Sequence, residues 1–133
     1  MIDGEYLLTE TDLKNCTRFE DAIAAGNYDI DIHNPEGSGT SHYFFEDGTW
    51  YTIPYRSLQP RNADNLLVAG RCISSTHEAQ ASYRIMPIVT TLGEAAGVAV
   101  AVANADHTGV KQADVKKIQA TLEKNGAFTG LNA

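Results

Sequence analysis

Cysteine is scarce in this chain, and the two cysteines that occur are far apart. Cys16 and Cys72 form no C-x-x-C pair, so the sequence indicates neither a metal knuckle nor a redox dithiol. A disulfide between the two stays open at this level. The 133 residues are enough for one domain with a real core, or for a part of one.

Positive charge is also in short supply. Ten lysines and arginines face 17 aspartates and glutamates, for a net charge of −7, which argues against non-specific binding to nucleic acid or an anionic membrane. Residues 1–48 hold 11 of the acids and two of the bases. Between Arg18 and Gly109 every base is an arginine. This is typical of fixed bidentate contacts with carboxylates or phosphates, and ordinary ion pairing with the acidic half is the alternative.

Several catalytic motifs are missing. Ala81 stands where H-E-x-x-H would need its second histidine after His77 and Glu78, and no G-x-S-x-G serine elbow occurs. The aspartates and histidines that suit a metal lack a second matched pair, so we predict no metal site. The residues considered for it are Asp29, Asp31, His33, His42 and His77.

The chain has one long apolar stretch and no targeting segment at its start. No basic segment followed by an apolar run comes after Met1, so we expect no signal peptide in this chain. Residues 85–103 approach the length of a membrane span, but Glu94 lies in their middle and alanine and glycine dominate them. We therefore expect a buried helix of a soluble protein, whose localisation the sequence does not indicate.

The N-terminal third predicts two helices followed by a strand. Thr9 is typical of a helix N-cap, with Asp12 in the first turn. A second helix is predicted over residues 18–25, with Gly26 closing it. Over residues 28–33 apolar and polar side chains alternate strictly, which predicts a half-buried strand.

The next segments predict a loop and a hairpin, and the chain ends in a predicted helix. Residues 34–40 have the composition of a loop. Residues 43–45 and 50–53 are rich in aromatic side chains and flank Asp47-Gly48, which predicts a β-hairpin. The last helix is predicted to start at Ala113 or Asp114 and to end before Gly126.

Residues 65–105 carry the pattern of a βα unit. The apolar run 65–70 stops at Gly70 and is typical of a strand buried on both faces. Residues 71–84 form a polar loop that is long for a plain connection, and a helix is predicted from Met86 onward. The start of this helix then points at the end of the strand, an arrangement that favours an anionic ligand.

The predicted helix has a narrow face of small residues. A backbone or a ligand can come close to such a face. Plain packing against the sheet is the simpler role for Gly97. The residues recur at spacings of three and four: Gly93, Ala96, Gly97 and Val100.

The order of these segments carries a resemblance. YTIPYRSL (51–58), NLLVAGRCIS (65–74), THEA (76–79) and LGEAAG (92–97), with Ser82, Arg84 and Met86-Pro87 between them, resemble the C-terminal signature of a family of FAD-dependent oxidoreductases. The flanking segments are similar to the same family, so the resemblance covers nearly the whole chain. The family's G-x-G-x-x-G nucleotide fingerprint occurs nowhere in the sequence. The resemblance therefore implies the C-terminal part of a larger flavoprotein, with Met1 as an internal or artificial start.

The resemblance also implies an FAD site. Gly70 would let the backbone approach the cofactor and Arg71 would face its pyrophosphate region; a turn glycine and a surface arginine are the alternative. His77 would face the flavin as a catalytic acid or base, or hydrogen-bond the flavin or substrate; a loop histidine capping backbone groups is the alternative. At the helix start, backbone N–H groups would stabilise negative charge on the reduced flavin. The further cofactor-binding positions are Ser74, Ser82, Arg84 and Met86.

The expected fold class is α+β, a fragment of an α/β FAD/NAD(P)-binding-like fold. It would combine aromatic-rich antiparallel strands, one βα unit and a C-terminal helix. Residues 1–55 would lie on the substrate side, residues 56–105 would belong to the FAD-binding domain, and residues 106–133 would form a linker and the last helix.

The expected function is to complete the isoalloxazine and ribityl side of the FAD site in an oxidoreductase. The implied partners are the N-terminal FAD-binding part of the same protein and a small-molecule substrate, with homo-oligomers through exposed apolar surface left open. The chain alone is then expected to bind FAD weakly or not at all. The alternative is a non-catalytic interaction domain without cofactor, which exposes an apolar helix to a partner.

Overall fold

Four α-helices and four short strands make up the part of the chain that the structure, a computed structural model, describes: residues 1–33 and 40–132. The architecture is α+β, as predicted. In chain order the elements are α1 (Glu10–Lys14), β1 (Ala22–Gly26), β2 (Ile30–His33), β3 (Thr40–Tyr43), β4 (Tyr51–Pro54), α2 (His77–Tyr83), α3 (Met86–Ala105) and α4 (Val115–Lys124). Short 3-10 turns lie at Tyr55–Leu58 and Val110–Gln112.

The strands form two separate antiparallel pairs, β1 with β4 and β2 with β3. The predicted hairpin between residues 43–45 and 50–53 is therefore wrong, although Asp47-Gly48 does lie in a turn, with Gly48 at φ +80°. All four residues of β4 are buried. In β1, the partner of β4, the small residues Ala22 and Ala24 are fully buried. Phe44, in the first strand of the predicted hairpin, is mostly exposed.

The predicted helix over residues 18–25 is also wrong, because its second half forms strand β1. Alanine favours helices, but pairing with β4 decides the conformation here. The backbone before β1 is fastened to the same strand: Phe19 N–H donates to Thr52 Oγ1 at 3.0 Å, and Tyr55 N–H donates to the Asp21 carbonyl at 2.9 Å.

Elements that depend on neighbouring residues were predicted correctly. Thr9 and Asp12 form a reciprocal capping box at the start of α1. Strand β2 lies within the predicted residues 28–33. Helix α4 starts with Asp114 as N-cap and ends before Gly126, which has φ +89°. The predicted loop at residues 34–40 lies outside the described residues except for Thr40, the first residue of β3.

Only the helical half of the predicted βα unit forms. The run 65–70 belongs to no sheet, its only backbone–backbone hydrogen bond in the described chain runs from Val68 N–H to the Leu58 carbonyl (2.9 Å), and Leu66 is 52% exposed. A buried strand needs neighbouring strands, and no described segment offers one. The segment predicted as a loop, residues 71–84, contains helix α2.

Helix α3 lies across the core with one face buried and one open. It packs against β1 and α4 through the buried residues Ile88, Leu92, Ala95, Ala99 and Ala103. Gly97 is on the opposite, exposed face, with no atom within 4 Å of a Cβ built on it. Within the described chain Gly97 therefore does not pack against a sheet. By length and hydropathy alone α3 could cross a membrane, and 28% of its apolar window is buried in the described structure. Glu94, in the middle of the helix, is exposed.

Candidate functional site

The loop that follows Gly70 is fastened to the end of helix α2. Arg71 Nε–H donates to the Arg84 carbonyl at 3.1 Å. In the other direction the Arg71 carbonyl accepts a hydrogen bond from the Tyr83 hydroxyl at 3.2 Å and a longer one from Gln80 Nε2 at 3.5 Å. Arg71 and Arg84 were both predicted to bind the cofactor. The structure joins them through the Arg71 side chain and the Arg84 backbone carbonyl.

Tyr83 anchors this arrangement in the core. Its side chain is fully buried, and its hydroxyl lies 2.8 Å from Ser75 Oγ. Burial raises the pKa of the Tyr83 phenol to about 12, against the lowering effect of the Ser75 hydrogen bond. The phenol therefore keeps its proton at neutral pH and can donate a hydrogen bond to the Arg71 carbonyl.

A strap formed by residues 2–8 holds the other side of the loop. Ile2 N–H donates to the Cys72 carbonyl (3.0 Å), Leu8 N–H to the Ser74 carbonyl (3.1 Å) and Thr76 N–H to the Leu8 carbonyl (2.9 Å). Ser74, a predicted cofactor-binding residue, is buried, and its Oγ accepts from Gly4 N–H at 3.1 Å. The hydroxyl of Ser74 therefore contacts the strap.

Gly70 and Arg71 have room for a ligand. Gly70 has φ +100°, a conformation that favours glycine, and no atom lies within 4 Å of a Cβ built on it. The Arg71 side chain is exposed. Within the described chain it uses one of its five N–H donors, so a carboxylate or phosphate can take up the others.

Arg84 connects this loop to strand β2. Its guanidinium NH2 lies 3.7 Å from Asp31 Oδ2, and Asp31 Oδ1 lies 3.5 Å from His42 Nε2 on β3. Asp31 Oδ1 is buried and has no hydrogen-bond partner in the described chain. The sequence does not single out Asp31 as the partner of Arg84, because 53 residues separate them. Pairing between an arginine and the acidic half of the chain is, however, the alternative given above for these arginines.

Ser82 is buried within the domain. Its Oγ lies 2.7 Å from the Tyr51 hydroxyl and donates to the Tyr28 carbonyl at 2.5 Å. Burial raises the pKa of Tyr51 above its ordinary value. The hydroxyl of Ser82 thus joins strand β4 to the segment before β2.

The two remaining predicted residues are both exposed, His77 at the start of α2 and Met86 at the start of α3. Met86 is the first residue of α3 and is 71% exposed; Ile85, the N-cap, provides no side-chain hydrogen bond. His77 is the first residue of α2, about 9 Å along the helix axis from Tyr83. The structure therefore brings Gly70, Arg71, Arg84 and Met86 to one region, and His77 lies at its far edge.

Three cavities border the described part of the domain. One, of about 770 Å³, contains none of the predicted site residues, and ion pairs such as Asp21–Arg56 (2.9 Å) and Glu5–Lys111 (3.1 Å) compensate part of its charge. A second, of about 430 Å³, lies between α3 and α4 and is mostly apolar. The third, of about 380 Å³, opens beside the first turn of α3 and is called the α3 pocket here. Its lining includes Gly26, Asn27, Tyr28, Asp29, Ile85 and Ile88.

Neither a disulfide nor a cluster suited to a metal is found in the described residues. Cys16 and Cys72 are both free thiols, so the disulfide left open by the sequence does not form. No group of three or more histidine, cysteine, aspartate or glutamate side chains in the described ranges is placed to hold a metal ion.

Comparison with known proteins identifies the family. The profile of the family described as FAD dependent oxidoreductase matches residues 1–122. The chain belongs to this family. Searches of the curated proteins and of the solved structures return no match.

The geometry around Gly70 fits the cofactor that the FAD dependent oxidoreductase family implies. The pyrophosphate of FAD is anionic, and the Arg71 guanidinium keeps free donors beside an open backbone at Gly70. The first turn of α3 carries no side-chain cap, which leaves its N-terminal partial charge available to a negative group. These groups are compatible with an anionic cofactor such as FAD, which Arg71, Arg84 and the backbone at Gly70 and Met86 would contact.

Proposed function

We propose that this chain is the C-terminal part of an FAD-dependent oxidoreductase and completes the isoalloxazine and ribityl side of its cofactor site. The observation that carries the proposal is the Arg71–Arg84 hydrogen bond, which joins the open backbone at Gly70 to the entrance of α3. The family match over residues 1–122 supports the choice of FAD as the ligand.

Two exposed apolar surfaces support a missing N-terminal part. Residues 66–70 are apolar in sequence but form no strand in the described structure, and the outer face of α3 exposes Met86 and Val100. A parallel sheet supplied by the N-terminal part would cover both. In this proposal residues 56–105 belong to the FAD-binding domain, residues 1–55 to the substrate side, and residues 106–133 to a linker and the last helix.

The chemistry would be divided between the cofactor and this chain. Bound FAD supplies the acceptor for a hydride or electrons from the substrate. Arg71 and the first turn of α3 would stabilise negative charge there, while Tyr83 and Ser75 would hold the loop in position. His77 stays our candidate acid or base.

A second candidate function is a cofactor-free interaction domain. The specific observation that favours it is again the outer face of α3, where Val100 is 51% exposed on an apolar helix. In that case the partner would be another protein, and FAD would bind neither to this chain nor to a longer product of the same reading frame.

The test is a titration of FAD into the 133-residue chain and into the product of the complete reading frame, followed by visible absorbance and flavin fluorescence. We expect the longer protein to hold FAD and the chain alone to bind it weakly or not at all. Stoichiometric, tight binding by the chain alone would overturn the proposal that it is half of a site. A longer protein without any affinity for FAD would overturn the flavin function and favour the interaction domain.

A further inference from the structure

The α3 pocket is a separate candidate site with a chemistry of its own. It lies between the start of α3 and the connection from β1 to β2, and its volume of about 380 Å³ is in the range of small-molecule sites. Ile85 and Ile88 give it an apolar side. A Cβ on Gly26 would lie 2.6 Å from Ile88 Cδ1 and 2.8 Å from the Tyr51 hydroxyl, so the wall at Gly26 is closely packed.

The polar side chains of the α3 pocket have no partners among the described residues. Asn27, Tyr28 and Asp29 are consecutive and line it, and their side chains make no hydrogen bond or ion pair within the described residues. The loop is nevertheless held in place, because the Tyr28 carbonyl accepts from Ser82 Oγ. Side chains that face a fixed cavity without partners are available to a ligand.

The charge of the α3 pocket favours a cation. Asp29 is the only charged residue among those that line it. The nearest arginine in sequence, Arg84, lies against Asp31 at 3.7 Å. The start of α3 contributes a partial positive charge of about half a unit, less than the full charge of the carboxylate. The Tyr28 ring, 40% exposed, adds an aromatic face of the kind that attracts ammonium ions.

We propose that the α3 pocket binds a small organic amine in its ammonium form. The ammonium would pair with the Asp29 carboxylate, the Asn27 amide oxygen would accept a second hydrogen bond, and the hydrocarbon part would lie on Ile85 and Ile88. If the function proposed above holds, this amine would be the substrate presented to the flavin; its binding to the pocket does not depend on that function.

The test uses three probes of nearly equal size that differ in charge: benzylamine, benzyl alcohol and benzoate. Each is titrated into the ¹⁵N-labelled 133-residue chain without FAD, and the backbone amide shifts of residues 26–29 are followed. We expect saturable shifts there with benzylamine, weaker ones with benzyl alcohol and none with benzoate. Equal binding of the alcohol, binding of benzoate, or no saturable shift with the amine would each overturn the proposal.

Two substitutions and one control sharpen the test. Asp29→Asn keeps the shape of the side chain and is expected to weaken benzylamine roughly tenfold, while Asn27→Asp adds a second carboxylate and is expected to strengthen it. Asp47→Asn removes the same charge from an exposed turn outside the pocket and is expected to leave the affinity unchanged. An unchanged affinity in Asp29→Asn would overturn the proposal. The titration contains no FAD, so its outcome does not depend on the flavin function. If the chain binds the amine but the longer protein binds no FAD, only the flavin function is overturned.

Discussion

Arg71 Nε–H donates to the Arg84 carbonyl across 3.1 Å, from an exposed side chain to the residue that caps the C-terminus of α2. The bond joins the backbone next to Gly70 to the N-terminus of α3, the two places that contact the flavin in the function proposed above. It also orients the guanidinium, because the planar group has to keep Nε–H aimed at the carbonyl while its terminal N–H groups face outward.

Arg71→Lys tests this orientation. Lysine keeps the positive charge but has no Nε–H and no planar fork, so we expect FAD affinity of the longer protein to fall roughly fivefold. The matched control is Arg61→Lys, an exposed arginine whose side-chain contact is a 3.4 Å hydrogen bond to the Gly4 carbonyl. Equal affinities for wild type and Arg71→Lys would show that the charge acts without the hydrogen bond.

Tyr83→Phe removes a single buried hydroxyl. The Arg71 carbonyl would lose a donor and Ser75 Oγ a partner, so we expect the free energy of unfolding to drop by about 1–2 kcal/mol. Urea unfolding of the 133-residue chain measures it. Tyr43→Phe serves as control, because the Tyr43 hydroxyl has no hydrogen bond in the described chain and its ring is partly exposed; it should change stability far less.

Buried tyrosines make the stability fall in alkaline solution. Burial raises the pKa of Tyr55 and of Tyr83 to about 12, whereas an unfolded tyrosine ionises near pH 10. Below about pH 10 both states keep the protons, and these groups cause no pH dependence. Above it the unfolded chain loses them first, so stability decreases by about 1.4 kcal/mol per pH unit for each tyrosine until the folded pKa is passed.

Urea unfolding between pH 8.5 and 11 checks this slope. Tyr55→Phe and Tyr83→Phe should each make the alkaline decrease shallower than that of wild type. Parallel curves for wild type and both variants would contradict the assignment to the buried phenols.

Replacing the glycines on the outer face of α3 by alanine should raise or lower the stability, depending on what covers that face. In the chain alone nothing lies within 4 Å of a Cβ on Gly93 or Gly97, so Gly93→Ala and Gly97→Ala should each stabilise it by about 0.5–1 kcal/mol. Ala101→Gly, on the exposed part of the same helix, should destabilise it by a similar amount. In the longer protein the gain should disappear or reverse if a neighbour packs closely there. A gain of equal size in both proteins would contradict a covered face.

Prediction from sequence succeeded where the deciding residues are neighbours. Helix α1 begins with the capping pair Thr9 and Asp12. Helix α4 begins at its N-cap Asp114 and ends before Gly126, and α3 forms from one continuous apolar run. All these signals lie within or directly beside the helix that they predict. It failed where a distant partner decides. Residues 22–26 form a strand because β4 lies beside them. Residues 65–70 form no strand, because no described segment lies beside them to pair with.

The candidate site shows the same division. Arg71, Arg84 and Met86 lie near one another in sequence and were predicted as one region. The contact between Asp31 and Arg84 follows from how β2 packs on α2. No periodicity or motif in a single sequence carries that information, because the packing of the two elements brings Asp31 to Arg84.

The strap of residues 2–8 has a consequence for the order of folding. It joins positions about 70 residues apart, as in the bond from Gly4 N–H to Ser74 Oγ. Contacts that close so long a loop are entropically costly to make early, so local helices form before them. The Arg71–Thr76 segment should therefore gain its protection from hydrogen exchange late in refolding, after α3 and α4. The proposed cofactor contacts are in this sense among the last parts of the domain to be assembled.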